Sequence, residues 1–247
     1  MLHFSLLVLA GLMAGTMNAV AGGGSFVSFP IMVLVGLPPI AANATSTVAL
    51  FPGTIASTWA YRHNFTAVAG IGLKVLLPLG LAGGLVGAIL LLITPGGAFD
   101  LVIPWLLLLA TLTFAGGRQL GDWLRRYVRI GRPALLMIQF LLSIYGGYFG
   151  GAVGLMMMAV WTLIDGSDFK ALAATRTALV SAANGAAVLC FAVAGAVRWP
   201  EMLATMISAI AGGYYGARFA LYLPPAMLRW FVVALSAIVT VAFFLRR

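Results

Sequence analysis

Apolar runs about 20 residues long recur from one end of this chain to the other, broken only by glycines, prolines and short polar clusters. A run of that length spans the roughly 30 Å hydrocarbon core of a bilayer as a helix. Only 8% of the residues are charged and 63% are hydrophobic, against roughly 25% charged in a soluble domain. That balance excludes a cytosolic enzyme, a nucleic-acid binder and a disordered chain. An integral membrane protein remains. The net charge of +9 falls in loops and ends, where the positive-inside rule expects it. The single cysteine, Cys190, excludes internal disulfides and a cysteine-based metal site. Residues 4–13, followed by Ala19-Val20-Ala21, imitate a signal peptide with a small-residue cleavage site. No Lys or Arg precedes that run, only His3, so it reads as a retained first span.

The breaks between apolar runs predict helices over about 3–20, 40–60, 68–93, 99–117, 134–164, 170–196, 201–219 and 226–245. The first is interrupted at Gly22-Gly23-Gly24-Ser25 and resumes to about Val35. The fifth is interrupted near Gly150 to Gly154. The chain also contains an internal duplication. Ala82-Gly83-Gly84-Leu85-Val86-Gly87-Ala88 matches Ala211-Gly212-Gly213-Tyr214-Tyr215-Gly216-Ala217 at an offset of 129, which Pro95 and Pro224 keep. At an offset of 130, Ala41, Ala44 and Thr45 match Ala171, Ala174 and Thr175, and Gly24 matches Gly154. The expected fold is an all-α polytopic membrane protein of about eight transmembrane helices. These form two homologous four-helix repeats, the first helix of each broken at a Gly-rich segment. The repeats cover 1–117 and 134–247, joined by a basic cytoplasmic linker over 118–133. Charge leaves parallel and inverted halves balanced. A parallel four-plus-four arrangement is expected, because a span as short as 25–35 reaches only about 16 Å.

Duplicated halves are a common construction for secondary transporters, with the site at the repeat interface. Backbone freed at Gly22, Gly23, Gly24 and Ser25 is tolerated at membrane depth only inside protein or against a wet cavity. A helix restarting there would aim its N-terminal N–H groups at an anion. Gly154 belongs to the second, weaker copy. Thr45 with Ser46, and Thr175 with Arg176, occupy equivalent places in the two halves and offer hydroxyls to an oxyanion. Arg176 is a charge inside a membrane segment, a functional hypothesis by default, with a fork suited to oxyanions. Its alternative is to snorkel to the surface beside Lys170. Asn18, one turn before the break, is assigned to the site. Asn184 is assigned to helix-to-helix bonding. The pairs Gly80/Gly84, Gly83/Gly87 and Gly212/Gly216 read as packing faces, which could serve a homodimer as well. Trp59, Tyr61, Trp199 and Tyr222 read as interface anchors.

No P-loop and no His-Glu-x-x-His motif is present, and the five acids fall in or beside predicted loops. No catalytic residue, metal ligand or cofactor is therefore expected. Ser25 after three glycines has no deep histidine to serve as its base. An anion channel and a non-catalytic subunit of a larger complex are the competing readings.

At these residues the sequence resembles the TauE/SafE sulfite exporter family of membrane permeases. The resemblance lies in Gly11, Ala14 and Gly15, then Ala21 with Gly22 to Ser25, Pro30, Gly36-Leu37-Pro38, Ala41 and Ala44-Thr45-Ser46. The second half repeats it more loosely over 147–154 and 171–175. The resemblance implies a multi-pass protein of a bacterial inner membrane. Its implied substrate is a small sulfur-containing anion such as sulfite or a sulfonate, moved by alternating access. It also implies a hydroxyl residue where this chain has Arg176, which marks that residue as a departure.

Overall fold

The computed structural model describes residues 2–21, 23–124, 131–165, 169–220 and 225–245. Among the described residues ten helices follow one another. They are α1 (Leu2–Ala21), α2 (Ser25–Leu34), α3 (Pro39–Ala60), α4 (Leu73–Ile93), α5 (Gly96–Leu124), α6 (Arg132–Tyr148), α7 (Val153–Asp165), α8 (Phe169–Val193), α9 (Trp199–Ala220) and α10 (Pro225–Leu245). Among the described residues three segments, Leu73–Ile93, Gly96–Thr113 and Leu172–Val193, are long and apolar enough by themselves to cross a membrane.

Most boundaries fall where proline and glycine put them. Pro39 sits at the start of α3 and Pro133 at the start of α6, where a missing N–H costs the helix nothing. α4 begins five residues later than its apolar run suggests. Val68 and Ile71 exchange backbone hydrogen bonds of 3.0 and 2.9 Å across Ala69 (φ 50°) and Gly70 (φ 76°). Two successive positive φ values make the tight turn of a hairpin, and the helix starts only after it. α5 continues to Leu124, seven residues into the segment read as a linker. Each glycine-rich break separates two helices: α1 from α2, and α6 from α7.

The distribution of polarity is that of a protein solvated by lipid. Leu189, Ile207 and Ile238 are 70%, 65% and 66% exposed, while Ser28, Thr45, Gln139, Ser143 and Thr175 are fully buried. Gln139 accepts from Trp161 Nε1 at 3.1 Å and donates to Ser143 Oγ at 3.3 Å. Buried polar groups must be satisfied in this way where water is absent.

Small residues let helices from distant parts of the chain touch backbone to backbone. A Cβ on Gly15 of α1 would collide with the Ala209 carbonyl of α9, and one on Gly212 with the Leu12 carbonyl. Thr16 Oγ1 adds a 3.0 Å bond to the Gly212 carbonyl. On α4, Gly83 and Gly87 meet α6, while Gly80 and Gly84 meet α8. The small-residue pairs therefore lie at internal contacts. The side chain of Gly216's neighbourhood and of Tyr222 lies outside the described residues.

Contacts across the two parts of the chain also fix the helix directions. Thr45 of α3 meets Arg198, just past α8, whereas Thr58 near the end of α3 meets Thr177 and Ser181 in the first half of α8. α3 and α8 are therefore antiparallel. So are α5 and α10, since Thr111 meets Thr240 while the earlier Trp105 meets Phe244. α1 runs parallel to α9, and α4 parallel to α6. Both pairs, α3 with α8 and α5 with α10, run against the common direction that parallel halves would give them. At 10 residues, α2 turns back along α1: a Cβ on Gly24 would collide with the Ala14 carbonyl. The break reverses the chain, so it does not merely bend one span.

Candidate functional site

One face of α3 carries Thr47, Leu50, Thr54, Ser57 and Tyr61 at alternating three- and four-residue spacing, the repeat that aligns side chains on a helix. This face lines a cavity of about 150 Å³. Opposite it, α8 contributes Arg176, Thr177, Val180 and Asn184. The remaining wall comes from Asn18, Ser25, Gly150, Val153, Gly154 and Leu155, all at or beside the two breaks. The breaks meet there: Ser25 Oγ lies 3.5 Å from where a Cβ on Gly151 would sit, and Thr47 Oγ1 the same distance from one on Gly150. Gly150, with φ 75°, ends α6 in the left-handed region and turns the chain into α7.

Four pairs of lining residues stand 130 apart in sequence: Ser25 and Leu155, Thr47 and Thr177, Leu50 and Val180, Thr54 and Asn184. Tyr61 and Ser57, at the mouth, are exposed, whereas Thr47 is buried. Beyond Thr47, towards the start of α3, the cavity is shut by polar contacts. The Ser28 and Ser46 hydroxyls are 2.6 Å apart. Asn43 Nδ2 donates to the Tyr148 carbonyl at 2.9 Å, and Thr45 Oγ1 accepts the Arg198 N–H at 3.0 Å.

Among the described residues, Arg176 is the only charged one that lines the cavity. Its Cγ and Cδ lie along Gly154, where a Cβ would stand 3.6 and 3.4 Å from them. The glycine makes room for the aliphatic stem, and the guanidinium joins a wall of hydroxyls and amides with no carboxylate among them. Donor groups of this kind replace the hydration of an oxyanion.

Of the residues singled out in the sequence, Asn18, Ser25, Gly154 and Arg176 come together here. Gly22 lies outside the described residues. Gly23 and Gly24 are buried behind the wall, their carbonyls accepting the N–H groups of Phe26 and Val27 at 3.0 Å. Those two N–H groups at the start of α2 are therefore already engaged. Thr45 and Ser46 lie below the cavity. Thr175 Oγ1 accepts the Thr66 N–H at 3.0 Å and donates to the Thr66 carbonyl at 2.7 Å. The sequence reading missed Thr47, Thr54, Ser57, Tyr61 and Thr177, although their helical spacing and the 130-residue offset were both visible. It placed Asn184 between helices, but Asn184 lines the cavity, and its buried Oδ1 has no partner among the described residues.

No solved structure matches the chain. It is 29% identical over 221 residues to a "Probable membrane transporter protein ORF9" of a Sinorhizobium species, covering 87% of this chain and 82% of the relative. It is 24% identical over 240 residues to the "Probable membrane transporter protein YfcA" of Escherichia coli strain K12, covering 97% and 88%. A "Probable membrane transporter protein" of Haemophilus influenzae is 25% identical over 240 residues, covering 96% and 92%. A family model described as "Sulfite exporter TauE/SafE" matches residues 7–243, so this chain is a membrane transporter of the TauE/SafE sulfite exporter family.

Proposed function

We propose that this protein is a secondary transporter of a small sulfur-containing oxyanion, such as sulfite or an organosulfonate, in a bacterial inner membrane. The observation that carries the reading is Arg176, the one charge among the described residues of a small polar cavity formed where two helix breaks meet. A single guanidinium without a facing carboxylate favours a monoanion over a cation or a zwitterion. Asn18, Ser25, Thr47, Thr54 and Asn184 supply neutral polar groups around it. Among the described residues no His, Cys, Asp or Glu lines the cavity, which supports transport over catalysis at Ser25.

Two homologous halves of inverted sense, with eight long helices spanning and the short α2 and α7 completing the site, are the architecture proposed with it. The antiparallel α3 with α8, and α5 with α10, support it, as do the four lining pairs 130 residues apart. The ends of α3, α5, α7 and α9 lie at the mouth of the cavity. Among the described residues, Arg62, Lys74, Arg118, Arg132, Lys170, Arg218 and Arg229 belong to that end, against Arg198 at the other. The positive-inside rule makes the mouth cytoplasmic, so this conformation is open to the inside. Its outer end is closed, as one state of an alternating-access carrier requires.

The test is uptake by proteoliposomes holding only this chain and preloaded with the anion under test, with sulfite, sulfate, thiosulfate, sulfoacetate, taurine and a carboxylate control. Saturable flux of one sulfur oxyanion is expected. Fast, unsaturable flux would favour a channel. No flux of any anion, with protein shown to be folded, would remove the substrate assignment.

A further inference from the structure

We propose that Arg176 holds the empty carrier open to the cytoplasm, so that an anion enters only in exchange for one carried out; the inference rests on the alternating-access reading above. Ser46 and Arg176 stand 130 residues apart, like the lining pairs. At the closed outer end Ser46 is 1% exposed and satisfied by Ser28. In the inverted state the start of α8 closes as the start of α3 is closed now, and Arg176 takes the buried place of Ser46. The residue 130 beyond Ser28 is Met158, which offers Arg176 neither a charge nor a strong acceptor. Asn43, which ties the outer end to Tyr148, has Ala173 as its counterpart. The inner end can therefore close dry only around a guanidinium already neutralised by a bound anion. A charge sealed in without a partner is strongly disfavoured. The loaded carrier turns and the empty one stays open to the cytoplasm, so an anion is carried in only after an anion has been carried out.

The test needs no knowledge of the substrate. Thr54→Cys, in a Cys190→Ala background, is labelled with a membrane-impermeant thiol reagent from either face of vesicles. Gluconate is the only anion present. The parent is expected to label from the cytoplasmic face and scarcely from outside. Arg176→Gln is expected to raise outside labelling on the order of a hundredfold, the population penalty of an uncompensated arginine at membrane depth. Arg176→Lys, which keeps the charge, stays like the parent. Unchanged cytoplasmic labelling shows that each variant is folded. Outside labelling of the parent at the Arg176→Gln rate would overturn the proposal. So would equal outside labelling of the Gln and Lys variants. If labelling behaves as expected but no anion of the panel moves, the gate stands and the substrate assignment falls. If inward flux is robust with no anion on the cytoplasmic side, exchange is wrong while transport stands.

Discussion

The starts of α3 and α8 carry the same motif with different neighbours. Ala44-Thr45 matches Ala174-Thr175, and both threonines are fully buried. Each hydroxyl holds a loop that follows the other helix: Thr45 the backbone of Arg198, Thr175 the backbone of Thr66. The flanks differ. Asn43 and Ser46 complete a sealed polar layer, whereas Ala173 and Arg176 leave the other end open and place a charge in the cavity. What the two halves share is scaffold: each threonine staples one half to a loop of the other. What they do not share decides which end is open and what charge the site holds.

The comparison can be broken most sharply at its charged member. Arg176→Ala is expected to lower the apparent affinity for a transported sulfur oxyanion about a hundredfold, since a charge-assisted contact contributes about 1.5–3 kcal/mol. Ser46→Ala, at the matching place, should change affinity by less than about twofold. Equal losses in substrate-concentration curves would mean that both positions touch substrate.

The glycines of the two breaks should separate next. Gly24→Ala sets a Cβ against the Ala14 carbonyl and is expected to cost about 2 kcal/mol by overpacking, read as a lowered Tm in detergent. Gly154→Ala meets only the flexible stem of Arg176 and Val180 Cγ2 at 3.3–3.4 Å. It should leave Tm nearly unchanged and reduce flux by displacing the guanidinium.

The staples come third. Thr175→Val loses a donated and an accepted bond, Thr45→Val only an accepted one. At about 1 kcal/mol per buried bond, the first should lower Tm roughly twice as far as the second, with substrate affinity retained in both. The smallest expected effect is that of Asn43→Ala. By loosening one contact of the outer seal it should raise outside labelling of a cavity cysteine about fivefold and leave cytoplasmic labelling as it was. A fall in cytoplasmic labelling instead would place Asn43 outside the seal.

Much of the site was half legible. Arg176 stood out because a charge within an apolar run has few harmless explanations. Asn18 and Ser25 stood out because they flank a run of glycines. Thr45 and Thr175 stood out for their repeat, and the structure engages both with backbone. A repeated hydroxyl reports that two halves need the same bond, not what the bond joins. Thr47, Thr54 and Ser57 passed unnoticed because threonine and serine in membrane helices commonly bond their own turn. These three do, at Asn43, Phe51 and Gly53, while still lining the cavity.

The sequence alone determined that the chain lives in a membrane, where its helices lie and where two of them break. These are local properties: run length is measured against bilayer thickness, and glycines and prolines act on their own turn. The tertiary structure alone decided that α3 runs against α8 and α5 against α10, and that α1 packs on α9 and α4 on α6. It also decided which polar face turns to the cavity. Those outcomes depend on helix rotation and on contacts between residues more than a hundred apart, such as Gly15 with Ala209 and Thr45 with Arg198. A linear pattern of apolar residues is nearly blind to both when every face of a helix is apolar enough for lipid.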